Sequence, residues 1–266
     1  AKLAVYARTE MNLRSVPVIL VVELARLYSG NEVVKRAVSG IVRRADEITE
    51  VLAYYQVANG REGTKKLNRL SKQVQKGLIE SFNQLDEYQF AKYNRETAVS
   101  LRDALFLVHP KAKDEAQQAI FDRIVSGSLA TPYTWETELS ELGKMSFGNE
   151  KVRAMAVSEK WEELLASGKL GYMAILRNLR NIVMKSSSVA LDIALDVLTD
   201  KNRIRRSKQM PFRYLSAFLE INKLTKESSM FEEEKAKIKR TLSALEQALV
   251  ASCDNIPVCG GKTVIL

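Results

Sequence analysis

Apolar residues recur every three or four positions along most of this chain, which is the spacing that amphipathic helices produce. In the clearest case, just after Leu170, the apolar stripe comprises Met173, Ile175, Leu176, Leu179, Ile182 and Val183. Roughly a dozen segments of this kind are separated by polar connections of a few residues. The pattern therefore predicts an all-α fold of successive short helices.

Helices that follow one another in this way favour a helical-repeat solenoid, in which each unit contacts mainly its neighbours. The sequence has no clean period, so the repeat would be degenerate, and a compact irregular helical domain is the alternative. Residues 262–266 (Lys-Thr-Val-Ile-Leu) instead predict a buried strand just starting. We expect a helical domain over residues 1–252 and, over residues 253–266, a linker and the first strand of a truncated α/β domain.

Local signals support the helical interpretation. Only 12 glycines and 5 prolines occur, which favours long helices over a strand-and-turn architecture. Ser100 and Asp103 have the spacing of a capping box at a helix start. Pro110 requires that helix to end by His109, because a proline disfavours helical geometry in the residue before it.

Composition adds a positive charge to this picture. Lys and Arg exceed Asp and Glu by 41 − 32 = 9, and the pI is near 9.4. This balance favours a polyanionic partner, with nucleic acid first and an anionic membrane surface second. No apolar run approaches the ~20 residues that span a bilayer. Two cysteines in this long chain form neither a zinc motif nor a disulfide scaffold. We expect a cytoplasmic protein with no membrane partner.

The residue inventory argues against an enzyme. A single histidine excludes a histidine-based triad and any metal site built on several histidines. The Gly-Gly-Lys-Thr run at 260–263 resembles the end of a phosphate-binding loop, but Ile256 stands where that motif needs a glycine. We therefore expect no catalytic residues, no metal ligands and no cofactor within this segment.

The first group of candidate RNA-binding residues lies on a helix predicted from Lys65 to Phe82. It comprises Lys65, Arg69, Lys72 and Lys76, whose spacings of four, three and four residues form one stripe. A cationic stripe of this kind neutralises phosphates. The alternative is an ordinary solvated helix face.

A second basic group precedes Pro211 and is predicted to lie in a loop. It comprises Lys201, Arg203, Arg205, Arg206 and Lys208. Within it, Arg205 and Arg206 are the candidate RNA-binding residues. It is either a flexible arm that contacts phosphates or a set of solvated linker charges.

A third group combines cations with rings that can stack on bases. It comprises Lys92, Tyr93 and Arg95, followed by His109 and Lys111. A histidine before a proline is also common as the cap of a helix end, which is the structural alternative for His109.

The fourth group lies on the polar side of the helix after Leu170. Arg177 and Arg180 alternate there with Asn178 and Asn181, and the segment holds no carboxylate. Guanidinium and amide groups suit phosphate, sugar and base edges. A solvated face on a core helix is again the alternative.

Several segments together resemble the TROVE domain of Ro ribonucleoproteins, especially its bacterial and phage branch. They are the Val16-Pro17 helix with residues 23–26, and segments 44–48, 76–83, 91–94, 101–111, 134–140, 161–164, 169–182 and 210–214. The resemblance covers about the whole chain, and the segments around Trp135 and from Gly171 to Ile182 are its more specific parts.

This resemblance implies HEAT-like helical repeats that form a curved or ring-shaped solenoid. It implies that small structured noncoding RNAs, called Y RNAs, bind the outer surface, and that single-stranded 3′ ends of misfolded RNAs enter a positively lined hole. It also implies a von Willebrand factor A-like domain after the ring, which usually holds a divalent cation through an Asp-x-Ser-x-Ser motif. The strand at 263–266 would be cut off just before that motif. Lys92 and His109 match family positions that contact Y RNA, and a neighbouring family arginine aligns near Arg95 or Glu96.

Two functional hypotheses follow. The first is a non-enzymatic RNA-binding ring protein in RNA quality control or ribonucleoprotein scaffolding, with a 3′ exoribonuclease as a candidate partner. The second is a helical-repeat scaffold that binds proteins or forms part of a larger assembly, with basic faces that meet acidic partner surfaces. Nucleic acid that co-purifies with the protein would favour the first hypothesis.

Overall fold

The computed structural model describes residues 1–28, 32–60, 70–94, 97–226 and 231–256, and within these ranges it contains helices and no strand. The α-helices are α1 Lys2–Thr9, α2 Ser15–Leu27, α3 Val33–Ile41, α4 Ala45–Ala58, α5 Lys72–Gln84, α6 Glu87–Tyr93, α7 Leu101–Val108, α8 Glu115–Ser126, α9 Trp135–Lys144, α10 Glu150–Ala166, α11 Tyr172–Lys185, α12 Ser188–Thr199, α13 Lys201–Ser207, α14 Pro211–Leu224 and α15 Glu232–Ser252. A short 3-10 helix, Cys253–Asn255, follows α15. The predicted all-α fold is confirmed.

The chain divides into two compact units, residues 1–132 and residues 133–266. In the first unit α1 packs on α2 and α3, α2 on α4, α3 on α5, and α4 on α6 and α7. In the second unit α10 packs on α11 and α12, and α15 packs on α12 and α14. Each helix thus contacts helices that are near it along the chain, which is the packing pattern predicted for helical repeats.

In the core of the first unit, α5 contacts α6 and α8 through aromatic rings and approaches α3 closely. The Phe82 ring lies 5.8 Å from that of Phe90 and 5.9 Å from that of Phe121, centroid to centroid. At Gly77, a Cβ atom would lie 2.6 Å from the Cβ of Val38 and 2.7 Å from the carbonyl oxygen of Lys35. Glycine at this position therefore allows α5 to approach α3 closely.

A buried ionic network joins the first helix of this unit to α4. Glu47 as a whole residue is 1% exposed. It accepts from Arg8 Nε at 2.9 Å and from the backbone N–H groups of Arg43 and Arg44 at 2.7 and 3.1 Å. One carboxylate therefore satisfies both a buried guanidinium and the start of α4.

The second unit has its own core, centred on the fully buried side chains of Trp161 and Tyr214. The Tyr214 hydroxyl donates to that of Tyr172 at 2.9 Å, and the Tyr172 hydroxyl donates to the Leu198 carbonyl at 2.9 Å. Burial raises the pKa of both phenols, so both stay protonated and able to donate. This chain of hydrogen bonds connects α14, α11 and α12.

Several sequence predictions of local structure can be compared with these helices. The Ser100–Asp103 capping box and the end of α7 before Pro110 are confirmed. The uninterrupted helix from Lys65 is wrong, because Leu70 and Ser71 are not helical and α5 begins at Lys72.

Other predictions fall outside the described residues. Residues 65 and 69 lie there, and so does the predicted strand at 263–266. The division at residue 252 stays a prediction. In the described part of the chain, no helix is both long enough and apolar enough to cross a membrane.

Candidate nucleic-acid interface

The largest group of predicted RNA-binding residues that the structure brings together lies along α5. We call it the α5–α7 basic surface and define it as the exposed side chains of Lys72, Lys76, His109, Lys111 and Lys113. Lys72 and Lys76 are one helical turn apart, and Asn83 lies further along the same side of α5. The other three residues belong to the loop between α7 and α8.

Amide side chains hold this loop against α5. Gln75 Nε2 donates to the carbonyl of Val108 at 3.0 Å, and Asn83 Nδ2 donates to the carbonyl of Lys111 at 3.3 Å. Lys113 Nζ returns a hydrogen bond to the carbonyl of Asn83 at 3.3 Å. The loop therefore runs along the side of α5 that carries the two lysines, so cations distant in sequence share one surface.

Little negative charge compensates this surface. Among the described residues, no carboxylate forms an ion pair with its five members. The Glu80 carboxylate, on the same helix, lies 2.6 Å from the Lys35 ammonium of α3, and this hydrogen bond lowers the pKa of Glu80. Because Glu80 is already paired, the cations of the surface remain available to an anionic ligand.

His109 combines the two alternatives that the sequence left open. It ends α7 in the left-handed conformation, with φ of 51°, and its backbone N–H donates to the carbonyl of Leu105 at 2.9 Å. It is therefore a helix-terminal cap through its backbone. His109 is exposed, so its imidazole can still contact a base or a phosphate.

Lys92 lies on α6, with its ammonium 5.3 Å from the ring centroid of Tyr88 and 5.7 Å from that of Tyr93. The guanidinium of Arg44 lies 4.0 Å from the Tyr93 centroid. Arg44 therefore covers one face of Tyr93, and the expectation that this ring is open for base stacking is wrong for that face. Arg95 lies outside the described residues.

The cluster at 201–208 is a helix, not the predicted loop. Asp200 caps the start of α13, and Ile204 is its buried anchor. Asn255 Nδ2 donates to the carbonyls of Ile204 and Gln209, at 3.1 and 2.9 Å, and so fixes the end of the helix. The exposed side chains are those of Lys201, Arg203, Arg205, Arg206 and Lys208. This group is therefore a set of cations fixed on a short helix and its end, and not a flexible arm.

On α11 the predicted polar face is only partly correct. Arg177 is exposed, whereas Asn178 is 5% exposed and its amide donates to the carbonyl of Ala174. Arg180 contacts Glu220 of α14 at 2.8 Å. The segment itself holds no carboxylate, but α14 supplies one forty residues later. The expectation that Arg180 is an uncompensated charge is therefore wrong.

Sequence reasoning missed two cations. Lys113 joins the α5–α7 basic surface, and its only sequence signal was its place two residues after Lys111. Arg213 of α14 lines a cleft together with Arg177 and Arg180 of α11, and its only sequence signal was its place in the segment 210–214. Among the described residues, no group of three or more His, Cys, Asp or Glu side chains could hold a metal ion.

These features define an all-helical domain with exposed, largely uncompensated cationic surfaces, as in proteins that bind nucleic acid through its phosphates. The model of the TROVE domain matches residues 1–131 and again residues 125–259, so the two matches nearly coincide with the two compact units. The chain belongs to the TROVE domain family.

Individual relatives agree with this assignment. The chain is 26% identical to telomerase protein component 1 of Rattus norvegicus and 25% identical to that of Mus musculus, over 84% of this chain in each case. It spans only 11% of the length of these relatives.

Among solved structures, the Deinococcus radiodurans RO (RSR) protein matches with a TM-score of 0.61 at 18% identity, over 96% of this chain and 56% of that one. At this identity the likeness shows the fold alone.

Proposed function

We propose that this chain is a non-enzymatic RNA-binding module that holds structured small RNA of the Y RNA type on the α5–α7 basic surface. The observation that carries the proposal is the convergence of five exposed cationic or imidazole side chains on one side of α5, held there by amide hydrogen bonds and not neutralised by described carboxylates. Family membership supports RNA as the polyanion.

Binding would come mainly from contacts of Lys side chains with phosphates, with His109 stacking on or donating to an accessible base. Sequence preference would then be weak and salt dependence strong. We further propose that single-stranded 3′ ends of misfolded RNA bind the cationic faces of the second unit. These activities would serve RNA quality control or ribonucleoprotein scaffolding in the cytoplasm, with a 3′ exoribonuclease as a partner.

The test is a filter-binding titration of the purified chain with a structured small RNA at several salt concentrations. Each lost phosphate contact lowers the slope of log affinity against log salt by about 0.7 to 0.9. This corresponds to an affinity loss of about fivefold to eightfold at ~0.1 M salt relative to ~1 M. K72E/K76E should therefore weaken binding roughly 20-fold or more and reduce the slope.

K151E/K239E is the matched control, because it reverses two exposed lysines of the second unit that have no ion pair with a described residue. Circular dichroism should show that both variants keep their helix content. Equal affinity of K72E/K76E and this control would refute the proposed surface.

The second candidate function is a protein-binding scaffold. The observation that favours it is an exposed apolar stripe on α14, where Phe212, Leu215 and Leu219 are 56%, 47% and 53% exposed. The two functions differ in what co-purifies with the chain. A high 260/280 absorbance ratio that nuclease treatment abolishes supports RNA binding, and a clean protein spectrum with a co-purifying polypeptide supports the scaffold.

A further inference from the structure

A cleft of about 240 Å³ lies between α11 and α14 in the second unit. Its apolar floor is formed by Met173, Leu176, Leu179, Ala217 and Ile221, and its polar lining by Arg177, Arg180, Arg213, Ser216 and Glu220. Three guanidinium groups beside an apolar floor suit a ligand that has both a negative charge and a flat apolar ring.

The three arginines differ in how far they are compensated. Arg180 contacts the Glu220 carboxylate at 2.8 Å, and Glu220 also accepts from Lys223 Nζ at 2.8 Å. The hydrogen bond from Lys223, with a smaller contribution from Arg180, lowers the pKa of Glu220, so this carboxylate is ionised at neutral pH. Within the described part of the chain, Arg177 and Arg213 have no such carboxylate partner. They are therefore the two cations available to an anion.

We propose that this cleft binds one nucleotide unit of single-stranded RNA, with its phosphate on Arg177 and Arg213 and its base against Met173, Leu176 and Ala217. The inference rests on the proposed RNA-binding function and gives it a second, chemically distinct site. The bases of a duplex are stacked and paired, so a duplex offers only its backbone to such a floor, whereas a single strand can turn a base into it. The small volume suits one ring system better than a larger ligand.

Glu220 then has a specific effect on binding. Its carboxylate lies within the cleft and repels the phosphate, while it holds Arg180 away from that phosphate. Glu220→Gln should therefore tighten binding, by roughly twofold to threefold after screening by salt. A gain of affinity is informative, because loss of structure would not produce it.

The experiment is fluorescence anisotropy of the full chain with a labelled oligouridylate of about ten nucleotides, a length within the site sizes of single-strand-binding proteins. R177A/R213A should lower affinity about fivefold at ~0.1 M salt and reduce the salt slope by about 0.7, since the contact with one phosphate is lost. R36A/K151A removes two exposed cations outside the cleft and should leave affinity within about twofold. An abasic oligonucleotide of the same length should bind the wild-type chain more weakly with an unchanged slope, because it keeps the phosphates and lacks the bases.

The outcomes separate this inference from the proposed function. If R177A/R213A binds the oligouridylate as tightly as the wild type does, or if Glu220→Gln weakens binding, the cleft is not the site. Equal binding of the abasic probe overturns the base contact. A wild-type chain that binds structured RNA but not the oligouridylate overturns the cleft and the binding of single-stranded 3′ ends, but leaves the α5–α7 basic surface standing. A chain that binds neither RNA overturns the whole proposed function.

Discussion

Replacing Glu47 with alanine should strongly destabilise the first unit. Glu47 is the acceptor for the Arg8 guanidinium, whose side chain is only 9% exposed, and for two backbone N–H groups at the start of α4. Removing one partner of a buried ion pair leaves an uncompensated buried charge, which costs about 3–5 kcal/mol. Losing the acceptor of the two N–H groups adds less, since water reaches the exposed Arg43.

Urea titration followed by circular dichroism measures this effect. Both tryptophans, Trp135 and Trp161, lie in the second unit, so their fluorescence reports that unit while circular dichroism reports both. Glu47→Ala should lower the free energy of unfolding obtained from the circular dichroism transition by about 3–5 kcal/mol.

Glu23→Ala is the matched control, because the Arg26–Glu23 pair is half-exposed and worth less than about 1 kcal/mol. If the two variants shift the transition equally, the buried network does not stabilise the unit as argued.

Three further outcomes are expected. K92E/H109S should weaken binding of a structured small RNA while helix content stays intact, and unchanged affinity in a filter-binding titration would remove the family-based assignment of both residues. The pKa of Glu80 is lowered in the folded protein, so its ion pair stabilises the fold at pH values above 4.5, the ordinary pKa of a glutamate. This contribution is lost as the pH falls through the lower pKa of the folded state. Glu80→Gln should therefore flatten the acid limb of stability against pH, and urea midpoints that fall equally in both proteins would contradict this. Gly77→Ala should cost about 1–3 kcal/mol, because its Cβ would overlap that of Val38, and an unchanged melting temperature would show that α3 and α5 can separate without cost.

Local chemistry made part of this fold predictable. The Ser100–Asp103 capping box and Pro110 act within a few residues, so the start and end of α7 could be predicted from the sequence. The same reasoning failed for α13. Its high density of Lys and Arg is typical of a solvated loop, whereas a single buried residue, Ile204, anchors it as a helix. Serine is common just before a helix, and α5 begins directly after Ser71, although the Ser71 side chain makes no capping hydrogen bond.

The candidate site was predictable as a set of cations but not as a surface. Lys76 and Lys111 share a surface because Gln75 and Asn83 of α5 donate to carbonyls of the loop after α7, about 30 residues later in the sequence. Likewise, the pairing of Arg180 with Glu220 spans forty residues, and no periodicity within one helix reveals it. Contacts of this kind depend on tertiary packing, which a single sequence does not encode in local spacing.

The hydrogen bonds that Gln75 and Asn83 donate to the loop after α7 also affect the rate of binding. Gln75 and Asn83 already fix the backbone of that loop, so the loop loses little conformational entropy when a ligand binds. Association should then approach the rate set by charge-steered diffusion, and differences in affinity among ligands should appear mainly as differences in how long each stays bound.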